Sequence, residues 1–258
     1  MEAILPIPAF SDNYIWLIPG TEPGNVAIVD PGDADPVFAA LEARGLRPVA
    51  VLCTHHHWDH VGGLPELRER YNIPVYGPRN EAIQGVDRPV AEGETVAPPE
   101  LGLRFQVLEV PGHTRGHVAY FGHGLLFCGD TLFSAGCGRL FEGTAGQMHA
   151  SLTRLAALPG DTRLYCAHEY TLGNLRFARA VEPDNAAIRE HLDRCRALGR
   201  EHRPTLPSTL ALERRINPFL RVGEPAVRQA ASAWAGRTLE TEAEIFATVR
   251  RWKDGFRG

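Results

Sequence analysis

One stretch constrains this chain more than any other: Cys53-Thr54-His55-His56-His57-Trp58-Asp59-His60-Val61-Gly62-Gly63. Four histidines and an aspartate fall within residues 55–60, and imidazole nitrogen with carboxylate oxygen is the ligand set that zinc and similar borderline divalent ions take. The stretch follows the apolar run Val49-Ala50-Val51-Leu52, so it reads as a loop at a strand end, opening into a helix near Leu64. Alternate residues of an extended segment point the same way. His55 and His57 therefore converge on one ion, His56 points away, and Asp59 and His60 on the turn beyond face a second. The fold must hold this loop on rigid strands.

The pattern recurs. Residues 103–110 read as a strand running into Pro111-Gly112-His113, 125–128 as one running into Gly129-Asp130, and Arg163–Cys166 as one running into Ala167-His168-Glu169. Strand-like runs at 14–18, 26–29 and 73–76 alternate with helical patterns at 36–44 and 64–71; 118–121 and 125–128 form a hairpin, and 145–158 is helical. Rigid strands positioning loop-borne chemistry at one sheet end is how such sites are built. From about Thr171 the texture turns helical. Ile188, Leu192, Cys195 and Leu198 stripe a helix over 186–202. Thr241-x-x-Glu244 is a capping box opening a last helix over 241–254, on which Arg250 and Lys253 are i, i+3 neighbours. The expected architecture is α/β, with a catalytic domain over 1–170 and a helical domain over 171–258.

The formal net charge of −4 and pI near 6.3 give no basic field for nucleic acid. The N-terminus reads as no signal peptide, and no run approaches the ~18 apolar residues of a spanning helix. The expectation is a cytoplasmic monomer with neither nucleic-acid nor membrane partners. Five cysteines without a Cys-x-x-Cys pair argue against a disulfide framework. Cys53, Cys128 and Cys166 each precede a candidate ligand by two residues and read as small buried residues near strand ends, with thiol ligation as the alternative.

The strand ends gather seven candidate ligands: His55, His57, Asp59, His60, His113, Asp130 and His168. One tetrahedral catalytic zinc takes three protein ligands; seven suit two ions. His55, His57 and His113 are assigned to one metal, Asp59, His60 and His168 to the other, and Asp130 bridges. Two divalent ions bring +4 against −3 from Asp59, Asp130 and a hydroxide between them, a centre that keeps hydroxide at neutral pH. His117 reads as a supporting hydrogen-bond partner. His123, His149, His191 and His202 read as ordinary surface or partly buried residues. Asp30 and Glu169 are either supports for the ligands or turn and cap residues.

Thr54-His-His-His-Trp-Asp-His60, Pro111-Gly-His-Thr114, Gly129-Asp-Thr-Leu-Phe133 and His168-Glu-Tyr170 together resemble the metallo-β-lactamase superfamily, and within it the hydroxyacylglutathione hydrolases, or glyoxalase II. The likeness extends through 135–139, 141–144, Asn217-Pro218-Phe219 and Arg250-Arg251-Trp252-Lys253-Asp254, nearly the whole chain. It implies an αββα sandwich with an all-α C-terminal domain that helps to bind glutathione. The same seven ligands would hold two divalent ions, zinc first, with iron or manganese as alternatives. The substrate contacts carried over are Arg139, Tyr170, Arg250 and Lys253, with Phe141 where the family often has tyrosine. Cations there complement the two carboxylates of glutathione, whereas without the resemblance Arg250 and Lys253 read as a solvated helix face.

The implied reaction is hydrolysis of S-(2-hydroxyacyl)glutathione thioesters, chiefly S-D-lactoylglutathione, to glutathione and the 2-hydroxy acid, as in methylglyoxal detoxification. A hydroxide between the ions attacks the thioester carbonyl, and Asp59 and Asp130 serve as ligands in the catalytic centre. The thiolate leaves without a strong general acid because its thiol has a pKa near 8.5. The competing reading is a glutathione persulfide dioxygenase with a single iron. A β-lactamase fits less well, since Asp130 stands where a second-site cysteine is common; a nuclease lacks its basic domain, and an inert metal-binding module fits poorly with a complete ligand set.

Overall fold

A computed structural model describes residues 3–258. The described residues divide into two compact units, 3–109 with 115–129, and 110–114 with 130–258.

The first unit carries a sheet in the order β1 (Leu5–Ala9), β2 (Asn13–Pro19), β3 (Asn25–Val29), β4 (Arg47–Leu52), β5 (Val75–Pro78), β6 (Arg88–Val90). Pairing is antiparallel from β1 to β3 and parallel from β3 to β6. Parallel neighbours need crossovers, and α1 (Ala34–Arg44) and α3 (Leu64–Arg70) supply two of them. Strands β2 and β3 are buried at every residue, as expected of sheet interior. Ile15, Leu17, Ile28 and Val51 pack with Val37 and Leu41 of α1 and Leu64 and Leu67 of α3. Asp33 caps α1, accepting a hydrogen bond from Asp35 N, and Gly45 ends it in the left-handed region at φ 62°. Strand β1 carries Pro6 and Pro8, which a strand tolerates at a sheet edge; that is where it lies. Strands β7 (Thr95–Val96), β8 (Phe105–Glu109), β9 (Val118–Gly122) and β10 (Leu125–Gly129) form an antiparallel run in the order β10-β9-β8-β7.

The second unit opens with a hairpin of β11 (Leu132–Phe133) and β12 (Gly136–Cys137). There follow α4 (Ala145–Ala156), β13 (Arg163–Cys166), α5 (Thr171–Val181), α6 (Ala186–Arg200), β14 (Ser208–Thr209), α7 (Leu210–Ile216), α8 (Pro225–Ala235) and α9 (Glu242–Gly255). Its core includes Leu175 and Ala178 of α5, Ile188, Leu192 and Cys195 of α6, and Ile216 of α7, so the helical stripe faces inward as the spacing requires. Both α4 and α9 begin with complete capping boxes, Thr144 with Gln147 and Thr241 with Glu244. All five cysteines are free and buried. Among the described residues no helix is long and apolar enough to cross a membrane.

Candidate metal centre and substrate pocket

In the first unit the chain leaves β4 as a loop and then makes a short helix, α2 (Trp58–Val61), a turn that the glycines after it had obscured in the sequence. The loop brings His55 Nε2 to 3.1 Å from His57 Nδ1, as alternation requires, and sends His56 to Glu81, with Nδ1 3.0 Å from Oε2. Asp30, at the end of β3, organises what lies beneath. Its Oδ1 accepts from Thr54 N at 2.7 Å, and its Oδ2 accepts from Thr54 Oγ1 at 2.8 Å and lies 3.2 Å from His60 Nδ1. Because the Thr54 hydroxyl proton goes to Asp30, His55 Nδ1, 3.0 Å from Thr54 Oγ1, must be the donor there. Hydrogen-bond logic thus assigns the His55 proton to Nδ1 and leaves Nε2 as a lone pair facing His57. The same reasoning puts the His60 proton on Nδ1 toward Asp30, with Nε2 turned to Asp59 Oδ2 at 3.5 Å. Asn13 Nδ2 donates to that Oδ2 at 3.0 Å and steadies it. The His117 ring stacks on His55 at 4.6 Å.

Two glycines make these approaches possible. A Cβ on Gly32 would fall 1.9 Å from the backbone oxygen of Asp59. Gly129, at φ 46°, would push one to 2.3 Å from Thr54 Oγ1, in a conformation that glycine adopts without cost.

In the second unit Asp130 stands between two imidazoles. Oδ1 is 3.2 Å from His168 Nε2 and Oδ2 is 3.5 Å from His113 Nε2. His113 Nδ1 lies 2.9 Å from the Arg139 carbonyl oxygen, an acceptor, so this nitrogen carries the proton and Nε2 offers its lone pair to the carboxylate side. The His113 lone pair facing a carboxylate oxygen is repelled unless a cation lies between them. The donor set therefore fits divalent metal, and an acceptor behind the ring, as the Arg139 carbonyl is for His113, is how such ligands are oriented. Tyr170 stacks on His168 at 4.7 Å with the planes 4° apart, Phe133 meets both rings edge-on, and the Phe141 and His113 ring centres lie 5.2 Å apart with the planes at 69°.

A cavity of about 660 Å³ opens beside Asp130, lined by His113, Phe133, Arg139, Phe141, Tyr170, Arg250 and Lys253 among others. All five residues expected to contact substrate thus share one pocket. Arg250 departs from the solvated face that its helix position suggests. It is buried, donating Nη1 to the Cys137 carbonyl at 2.8 Å and Nη2 to Asp254 Oδ1 at 2.9 Å. Lys253 is half-buried, and burial, followed by repulsion from Arg250, lowers its pKa to about 8. Burial pushes the Cys137 thiol up to about 11, so the cysteine lines the pocket as a neutral thiol.

Sequence reasoning missed what fixes the β11–β12 hairpin. Glu213, buried on α7, accepts from Ser134 Oγ at 2.9 Å, Ala135 N at 2.7 Å and Asn217 Nδ2 at 3.2 Å. Asn217 Nδ2 also reaches the carbonyls of Phe133 and Gly136, and Asn174 Nδ2 that of Ser134. No spacing rule joins residues 134, 174, 213 and 217. Glu169, in contrast, spends both oxygens on Thr205, the turn role considered for it.

The two sheet systems and the His/Asp strand ends define a metallo-β-lactamase superfamily protein, and the family model described as Metallo-beta-lactamase superfamily matches residues 10–168. A second, described as Hydroxyacylglutathione hydrolase C-terminus, matches residues 169–256. A hydroxyacylglutathione hydrolase of Nitrosomonas eutropha is 51% identical over 99% of this chain and 100% of its own length. Another, from Alkalilimnicola ehrlichii, is 55% identical over 98% and 99%. A solved structure of a protein in a di-iron-bound form is 29% identical, with a TM-score of 0.60 over 84% of this chain and 100% of that one. The chain belongs to the hydroxyacylglutathione hydrolase family. Its fold class is accordingly the metallo-β-lactamase α/β arrangement with a helical C-terminal region.

Proposed function

We propose that His55, His57 and His113 hold one divalent ion, that Asp59, His60 and His168 hold a second, and that Asp130 gives one oxygen to each. The observation that carries this reading is the carboxylate of Asp130, which turns a different oxygen to each of two imidazoles, His168 and His113. The 29% identical protein solved in a di-iron-bound form supports a site for two ions. When bound, such ions supply hydroxide at neutral pH and polarise a carbonyl. Zinc is our first choice for this nitrogen and oxygen set, with iron or manganese as the alternatives.

Family membership makes the chain a metal-dependent hydrolase of hydroxyacylglutathione, and the residues divide that work. Asp30, Thr54 and Asn13 orient the ligands. Phe133, Phe141 and Tyr170 present apolar ring surface beside His113 and His168, where the acyl group and sulfur would lie. Arg139, Arg250 and Lys253 complement the glutathione carboxylates. The glutathione thiolate needs no strong acid to depart. We assign residues 1–170 to catalysis and 171–258 to substrate binding; the two family matches, which meet between 168 and 169, support that boundary. A cytoplasmic monomer acting on a small-molecule thioester completes the reading.

The test is loss of S-D-lactoylglutathione thioester absorbance with metal-replete protein, with and without chelator, beside a metal analysis. Chelator-sensitive loss with two metals per chain is expected. One iron per chain with oxygen uptake would instead establish the persulfide dioxygenase, which the complete set of Asp59, His60 and His168 disfavours.

A further inference from the structure

Of the three consecutive histidines, only His56 has no place in the metal centre proposed above, yet it is not left to solvent. In an extended segment it points opposite to His55 and His57, and there it meets Glu81. His56 Nδ1 lies 3.0 Å from Glu81 Oε2. A carboxylate only accepts, so His56 carries its proton on Nδ1 and donates it. The other oxygen, Oε1, accepts from Gly116 N at 3.1 Å. Contact there is close, since a Cβ on Gly116 would come within 2.5 Å of Glu81 Cγ. The Glu81 side chain is 3% exposed, against 34% for His56, so the carboxylate is the buried partner and the imidazole the rim.

Strand backbone sets Glu81 in place. It follows β5, whose Tyr76 carbonyl accepts from Cys53 N at 2.8 Å, and Glu81 N closes a turn on the Pro78 carbonyl at 3.3 Å. Just beyond Gly116, Val118 N donates to the Thr54 carbonyl at 2.9 Å. Between them the His117 ring stacks on His55, with centres 4.6 Å apart and planes at 19°. Glu81 thus holds two neighbours of His55: His56, which follows it in the chain, and Gly116, which precedes the ring stacked on it. An extended segment held on one face alone can roll about its axis. A charge-assisted hydrogen bond on the opposite face opposes that roll more firmly than a neutral one.

We propose that Glu81 is a positioning residue of the metal centre, acting through His56 and Gly116: it fixes the roll of the His55–His57 segment and seats His117 against His55. The inference rests on the two-metal reading above and deepens it. His56 then has a role without being a ligand, as the handle by which the scaffold turns its two neighbours toward the ion. Glu81 works from the side opposite to Asp30, so the loop is gripped on two faces.

The experiment reads zinc affinity by chelator competition starting from the metal-loaded enzyme, and ligand geometry by the visible bands of the cobalt-loaded enzyme. Glu81→Ala should weaken zinc binding by about 10–100-fold, the range for partners that orient a ligand, and shift the cobalt bands. Glu81→Gln should stay close to wild type in both. Its amide oxygen accepts from Gly116, and its NH2 donates to His56 Nδ1 once that ring moves its proton to Nε2, where water is within reach. His56→Ala, a change at the rim that leaves Glu81 its contact with Gly116, should also lose affinity and shift the bands, and it carries the test should Glu81→Ala not fold. The double variant should lose no more than Glu81→Ala alone, because the two side chains share one interaction. Wild-type zinc affinity and cobalt bands in either alanine variant would overturn the proposal, even with a lowered Tm, which would make Glu81 scaffold only. Additive losses in the double variant would overturn it too, as would a loss in Glu81→Gln equal to that in Glu81→Ala. Fewer than two zinc ions on the wild type would sink the two-metal reading itself, an outcome distinct from any of these.

Discussion

The carboxylate of Asp130 places Oδ1 3.2 Å from Nε2 of His168. Its other oxygen is 3.5 Å from His113 Nε2, so one side chain addresses two imidazole rings. Asp130→Asn keeps the shape and removes the charge that two cations would share. It should lower kcat/KM for S-D-lactoylglutathione by more than about a hundredfold, given the worth of metal activation. Metal content by elemental analysis should fall below two per chain. Full metal occupancy and full activity in this variant would remove Asp130 from the bridge.

Asp30 makes a separate prediction because it touches Thr54 and His60 and would touch no metal. Outer partners of metal ligands typically change affinity by about 10–100-fold. Asp30→Asn should therefore weaken metal binding by that range in a competition titration against a chromophoric chelator. Activity should recover when metal is added in excess. A variant with wild-type metal affinity would show that the Asp30–His60 contact of 3.2 Å does not tune the ligand.

How far the sequence reached can be judged from these two residues and their neighbours. The approach of His55 to His57 was legible because the two alternate along an extended segment. The nearness of Asp130 to His168 was legible because each follows the end of an apolar strand. The link from Asp30 to Thr54 spans 24 residues, and no local pattern encodes it. Strand β1 escaped because prolines at 6 and 8 argue against a strand in general and are tolerated at an edge. The strand expected at 73–76 runs instead over Val75–Pro78, where backbone pairing with β4 begins one residue after Pro74. The environment of Arg250 was out of reach because its partner, the Cys137 carbonyl, lies 113 residues away.

Glu213 is the stability counterpart. Burial raises its pKa despite the hydrogen bonds that oppose the shift. The folded chain therefore holds this proton to higher pH than the unfolded chain. Its contribution to stability is fully present below the ordinary glutamate value and declines as pH rises through the raised one. Glu213→Ala would strand Ser134, Ala135 N and Asn217 as buried donors, a loss of about 3 kcal/mol or more. For a chain of this size that corresponds to roughly 6–12 °C in Tm. Scanning calorimetry of Glu213→Ala checks it; a shift under two degrees would show that the hairpin needs no such anchor.

Lys253 carries the pH dependence. Its pKa is lowered to about 8, first by burial and then by Arg250, from the ordinary value near 10.4. Between those two values the folded chain binds fewer protons than the unfolded one, so this residue's contribution makes stability rise with pH across that window. Substrate binding has the opposite sense. A carboxylate seated on Lys253 favours the ammonium, so binding above pH 8 takes up a proton, and KM for S-D-lactoylglutathione should climb as pH rises from 8 to about 9.5. Because the contact is remote from the reacting carbon, kcat should change less than KM. Lys253→Ala should raise KM at pH 7 and abolish this climb. Calorimetry at pH 8.5 in two buffers of different ionisation enthalpy reads the proton directly. Identical heats in both buffers, with a KM flat to pH 9.5, would show that the charge on Lys253 plays no part in holding substrate.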